Sequence, residues 1–132
     1  MTTATVPTLP ENAPPALVRY MHMWNERDPE AIRGHLDDAV SDDCLWVDPQ
    51  HHHRGRDALE ANVRGFRETF PDADLGVGST VDGHNDRYRY EWVIVNEGAL
   101  LIRGFDVVTL SAAGLIERVD GFFGTLDRLG PE

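Results

Sequence analysis

Apolar positions in this chain change their spacing once. Up to about residue 70 they recur every three or four residues, and from Ala73 almost to the end they recur every two. Leu17, Tyr20, Met21 and Trp24 mark one face of a first helix, entered through Pro14 and Pro15 with Asn12 as its cap. Asp28-Pro29 opens a second, short helix to about Leu36, with Ile32 and Leu36 inward. The third helix carries Leu59, Val63, Phe66 and Phe70 on its buried stripe, and Phe70-Pro71 ends it. Between the second and third helices, the acidic stretch 37–43 has no period and reads as a solvated connection. It leads into an apolar strand, Cys44-Leu45-Trp46-Val47, that stops at Asp48-Pro49, and residues 50–56 read as a loop.

In the second half, alternation predicts four strands, at roughly 74–81, 87–96, 99–110 and 115–125, joined by short turns and therefore antiparallel to their neighbours. Helices followed by hairpins define an α+β fold: a cone-shaped, curved antiparallel sheet with three helices on its concave face. Residues 13–127 form a single domain in this reading, between a flexible segment, 1–12, and a short tail, 128–132.

Alternation also sorts side chains by face. Cys44, Trp46 and Asp48 share one side of their strand, so Asp48 either turns out into the Pro49 turn or enters an apolar cavity. Tyr88, Tyr90, Trp92 and Ile94 form an aromatic row that must be covered. On the next strand Leu100, Ile102, Gly104, Asp106, Val108 and Leu110 share a face, which makes Asp106 the one ionisable group in an apolar row. Buried without a partner, such a carboxyl binds a proton and can then donate a hydrogen bond. At a bulge permitted by Gly104, or paired with Arg103 or Arg118, it would be ordinary surface. Tyr20, on the inner face of the first helix, is by itself a core aromatic. The functional signal is that Tyr20, Asp48 and Asp106 lie on three elements whose apolar faces must meet.

Composition removes several classes. With 23 acidic and 12 basic residues the net charge is −11, which disfavours nucleic acids and anionic membranes. The N-terminus has no basic start and no apolar run, so neither a signal peptide nor a membrane span is expected and the protein reads as cytoplasmic. The single cysteine, Cys44, leaves no internal disulfide. His51, His52 and His53 invite a metal reading, but three consecutive residues rarely converge on one ion, so no metal or other cofactor is expected. They read as a loop at the pocket rim, with His51 or His53 able to orient a substrate oxygen. Phe122 and Phe123 face opposite ways. The outer sheet face, with Val93, Val95, Leu101 and Val107, is apolar enough to predict a homodimer packed through the sheets.

These features together resemble the nuclear transport factor 2-like superfamily, the cystatin-like roll shared by ketosteroid isomerases, SnoaL-like polyketide cyclases and scytalone dehydratase. The resemblance runs from Leu17 to Gly124. It is carried by Arg19-Tyr20, Trp24-Asn25, Trp46-Val47-Asp48-Pro49, Gly55-Arg56-Asp57-Ala58-Leu59, Gly104-Phe105-Asp106, Gly114-Leu115-Ile116 and Gly121-Phe122-Phe123-Gly124. Carried over by position, it implies Asp48 as general base, with Tyr20 and protonated Asp106 as donors to a developing enolate oxygen. It also implies a cofactor-independent isomerase, cyclase or dehydratase acting on a small apolar carbonyl compound. Trp24, Trp46, His51, His53, Tyr90, Trp92, Val108 and Phe123 would line the substrate, and Asp120 would take the place of the second aspartate of the cyclases. The same fold also hosts modules that only bind a ligand or dimerise, and the sequence leaves that alternative open.

Overall fold

The computed structural model describes residues 13–130. The flexible segment 1–12 expected from the sequence, with its Asn12 cap, and the last two residues of the tail fall outside the described residues. Helix α1 (Pro15–Trp24) is preceded by Pro14 and has no side-chain cap. Asp28 caps a 3-10 turn, Pro29–Ala31, by accepting from the Glu30 N–H at 3.0 Å, and α2 (Ile32–Ala39) follows directly. The sheet strands are β1 (Val40–Asp48), β2 (His51–Arg54), β3 (Ala73–Val77), β4 (Asp82–His84), β5 (Arg87–Asn96), β6 (Ala99–Leu110) and β7 (Ile116–Phe123), with α3 (Arg56–Thr69) between β2 and β3.

The strand order is β2-β1-β7-β6-β5-β3, with β4 also on β5. The fold class expected from the sequence therefore holds, with one correction: the sheet is mixed, because β1 runs parallel to β7. The long stretch between them, which holds β2, α3 and the strands β3–β6, lets the chain return and lay β7 parallel beside β1. Two further corrections concern connections. The acidic stretch is not a solvated link, since α2 runs to Ala39 and β1 begins at Val40, with Asp42 and Asp43 exposed on the strand. The histidine segment is not a loop. Pro49-Gln50 makes a two-residue turn and His51–Arg54 pairs back on β1, with Asp48 opposite His51 and Trp46 opposite His53.

A bulge resets the start of β6. Ile94 pairs with Ile102 but Val95 pairs with Leu100, which leaves Leu101 as the extra residue. Leu101, expected on the outer face, consequently borders the cavity, and Leu100, expected inward, is exposed.

One charged side chain holds the helices to the sheet. Arg67 sits on the buried side of α3 and is only 5% exposed. Its guanidinium donates to the carbonyls of Trp24 (2.6 Å), Phe70 (3.2 Å), Pro71 (3.2 Å) and Ala73 (2.7 Å), joining the end of α1 to the α3–β3 corner. Its removal would leave the buried Trp24 carbonyl without a donor, at about 1–3 kcal/mol, while Pro71 and Ala73 would keep their bonds from Arg27 and Phe70 its bond from the Ala73 N–H. Arg67→Met is expected to destabilise by roughly 1–3 kcal/mol, whereas Arg64→Met, which loses only surface pairs with Glu60 and Glu30, should stay within about 0.5 kcal/mol. Denaturant titration of the two variants checks this.

Candidate active site

The concave face of the sheet and the helices α1 and α3 enclose a cavity of about 700 Å³. Its walls are largely aromatic: Tyr20, Trp24, Trp46, Phe66, Phe70, Tyr90, Trp92 and Phe123. Tyr20 and Trp24 stand four residues apart on α1 and meet edge to face at 6.3 Å between ring centroids. Trp24 continues to Trp46 at 5.9 Å, and Trp46 stacks under the His51 ring at 5.0 Å. The ionisable groups on this wall besides the tyrosines are Asp48, His51 and Asp106, and no arginine is among the described lining residues.

Asp106 is placed by its strand neighbours. In register across the sheet, Tyr90, Asp106 and Gly121 form one row and Trp92, Gly104 and Phe123 the next. Trp92 leans over Gly104, where a Cβ would come within 2.4 Å of its ring, and so reaches the Asp106 Oδ1 with its indole N–H at 2.9 Å. Tyr90 donates its hydroxyl to the Asp106 Oδ2 at 3.1 Å. Gly104 thus makes room for an indole; it does not open a bulge, and Asp106 is neither exposed nor paired with Arg103 or Arg118. Burial raises the Asp106 carboxyl from its ordinary 3.8 to about 7, opposed by the bonds from Trp92 and Tyr90 and reinforced by the Asp48 charge.

That environment also fixes where the proton sits. An indole N–H can only donate, so the Oδ1 of the neutral acid must accept, and the acid proton lies on Oδ2, facing Tyr90. Tyr90 can accept that proton and donate its own onward. Both Tyr20 and Tyr90 are driven well above the ordinary tyrosine range by burial and then by the Asp106 charge, so they remain hydroxyl donors.

Asp48 faces the cavity from the end of β1, with its side chain 7% exposed. Its Oδ1 accepts from the Gln50 N–H at 2.8 Å, as a turn aspartate does, so the two sequence alternatives for Asp48 hold together. The His51 Nδ1 lies 2.8 Å from Oδ1 and 3.1 Å from Oδ2. Asp48 and Asp106 flank Gly121 on β7: a Cβ there would stand 3.3 Å from the Asp48 Cβ and 2.9 Å from the Asp106 Oδ1. Gly121 thus leaves the space of one methyl group between the Asp48 Cβ and the Asp106 carboxyl.

Three sequence-derived site residues lie elsewhere. Asp120 points to the outer face and accepts from Arg118 at 2.8 Å, because Gly121 takes the inward position on β7. Val108 is fully buried in the core, opposite Tyr88 and Val119, beyond the cavity. His53 stacks on Trp46 at 5.8 Å, two cross-strand pairs along from His51, and does not line the cavity. His52 alternates outward, so the three histidines do not converge on one ion. Sequence reading missed Gly121, whose contribution is the absence of a side chain, and the α3 contribution of Ala61, Asn62, Gly65 and Thr69. The spacing of those four at i, i+1, i+4 and i+8 marks a helix face beside the Phe66 stripe and was available as a signal.

An α+β cone with a polar, carboxylate-bearing point inside an aromatic cavity is the architecture of the nuclear transport factor 2-like proteins. Within that superfamily the chain belongs to the SnoaL-like domain family, whose model matches residues 17–119. A SnoaL-like protein of Agrobacterium tumefaciens, named as a candidate isomerase, is 30% identical and aligns over 83% of this chain and 95% of its own, with a TM-score of 0.78. An NTF2-like protein of unknown function from Exiguobacterium is 21% identical over 84% of this chain and 99% of its own, at a TM-score of 0.69. A cystatin-like-fold protein of Methylobium petroleophilum, also of unknown function, is 19% identical over 95% and 84%, at a TM-score of 0.68. The latter two similarities bear on fold alone. No curated protein matches the chain. Among the described residues no helix is long and apolar enough to cross a membrane.

Proposed function

We propose that the protein is an acid/base enzyme that needs no cofactor and acts on a small, neutral, largely apolar carbonyl compound, starting with removal of a proton beside the carbonyl. Isomerisation, cyclisation and dehydration share that first step. The observation that carries the reading is the pair of carboxyl groups around Gly121. One is bonded to a histidine and a turn N–H; the other is held neutral up to about pH 7 against an indole and a phenol. Environments that separate two neighbouring carboxyls in this way assign a base side and an acid side. Asp48 belongs to the base side, while Asp106 with Tyr20 and Tyr90 supplies donors for the enolate oxygen. The aromatic wall favours a planar, apolar body, and the lack of arginine on that wall disfavours a substrate carboxylate.

The test is deuterium uptake from solvent into 2-tetralone, followed by proton NMR. The wild type is expected to accelerate loss of the signals next to the carbonyl over buffer alone. A protein that binds the ketone yet exchanges nothing would instead be the non-catalytic ligand-binding member of the fold.

We also propose that a second copy packs on the outer sheet face. Phe105 and Phe122 stack there at 4.8 Å with Phe122 48% exposed, beside Val107. Phe122→Glu is expected to convert a two-chain mass in light scattering to a one-chain mass; a one-chain mass for the wild type sinks the dimer.

A further inference from the structure

The β1–β2 turn places a second proton-handling group beside Asp48, and its geometry separates the residue that touches the substrate from the one that holds it. Asp48-Pro49-Gln50-His51 closes a two-residue hairpin, so Asp48 and His51 are direct cross-strand partners. Both carboxylate oxygens lie within 3.1 Å of Nδ1, and Oδ1 also accepts the Gln50 N–H. The shorter contacts of Asp48 are thus made within its own hairpin, to the turn N–H and to the imidazole, and they hold the carboxylate against the ring. Its side chain is 7% exposed against 31% for His51, and the histidine ring stacks on Trp46 and lines the cavity. Facing a carboxylate, Nδ1 must be the donor, which leaves Nε2 as the acceptor.

We infer that His51 takes the proton from the substrate through Nε2, and that Asp48 is the positioning residue that fixes the tautomer and the ring. This rests on the proton-transfer reading of the cavity. The C–H bond beside the carbonyl breaks, its proton goes to Nε2, and its electron pair moves into the enolate, whose oxygen is met by the Tyr90 hydroxyl with the Asp106 proton behind it. Return of the proton from the imidazolium to the same carbon gives exchange. Return to another carbon gives isomerisation. No oxidant, reductant or co-reactant enters the balance.

Two measurements test it. Nitrogen-15 NMR of the histidine rings in the wild type should show His51 as the Nδ1–H tautomer. Asp48→Asn, whose amide can donate to Nδ1, should switch it to Nε2–H, because the carboxylate alone selects the first form. In the 2-tetralone assay His51→Gln should lower exchange by about 100-fold or more, with Asp48→Asn losing a comparable factor. An Nε2–H tautomer in the wild type overturns the inference whatever the activity. So does His51→Gln within threefold of wild type while Asp48→Asn is inactive, since Asp48 itself would then be the base. Absence of exchange in the wild type over buffer instead overturns the proton-transfer reading, and this inference with it.

Discussion

At pH 8 the Asp106→Asn variant is expected to be more stable than the wild type by roughly 4 kcal/mol, the free-energy equivalent of raising a carboxyl from 3.8 to about 7. In the unfolded chain the carboxyl releases its proton near 3.8, and in the native state near 7. Between those values the native state holds more protons, so stability falls as pH rises through the window, and the full cost is present above about 7. Asparagine copies the neutral acid without this cost: its Oδ1 can accept from Trp92 while its Nδ2 donates toward Tyr90. The melting temperature of the variant at pH 8 should be higher by on the order of 10 °C, and the difference should shrink toward pH 4. The catalytic consequence has the opposite economy. Ionised Asp106 accepts only, so wild-type exchange should fall about tenfold per unit above pH 7, whereas the variant should be flat there with a lower ceiling. The groups that set this behaviour are the ones packed around the carboxyl: Trp92, Tyr90, Tyr20, Asp48 and, from the outer face, Asp120. Equal melting temperatures for the two proteins at pH 8 would refute the neutral acid.

What the sequence disclosed and what it hid follow a common physical division. A polar residue out of phase with an alternating apolar row is visible without a structure, and so Asp106 was legible; so were Tyr20 at helical spacing and Asp48 before its proline. The three helices were visible from their stripes. Groups that work by making space leave no such mark. Gly104 and Gly121 look like any strand glycines until the indole over one and the two carboxyls around the other are seen. Strand β2 was hidden because three histidines and an arginine carry little β preference, and only the Asp-Pro-Gln-His turn pairs them with β1. Arg67 falls four residues after Val63, on the buried stripe, but a charged residue there reads as surface until the four carbonyls around it are known. The cyclase resemblance puts Asp120 inward, but the period of the strand puts it on the face opposite Phe123, and the period holds. The parallel β1–β7 pair is a long-range contact, and no local pattern in the sequence encodes it.

Gly121→Ala should lose 100-fold or more of exchange turnover while still binding the ketone. A methyl at this position would stand 2.9 Å from the Asp106 Oδ1, closer than side-chain carbons are found to neighbouring atoms. That oxygen is the one Trp92 holds at 2.9 Å, so relief requires either breaking the indole bond or moving β7 away from β1 and β6. In both cases the acid shifts relative to the base by a fraction of an ångström to an ångström, a misplacement that can cost on the order of 100-fold when reacting groups are pre-positioned. Overpacking of the sheet should cost about 1–3 kcal/mol, which leaves a folded protein to assay. The control is Gly34→Ala on the exposed side of α2, away from the cavity, where a Cβ meets nothing within 4 Å. It should leave turnover unchanged and stabilise the helix by up to about 1 kcal/mol. The loss at Gly121 should appear mainly in kcat, because Trp24, Phe66 and Phe70, the helix-borne part of the aromatic wall, keep their places. If Gly121→Ala turned over like the wild type, the Asp106 acid and the base side at Asp48 and His51 could not be depending on the spacing that this gap sets.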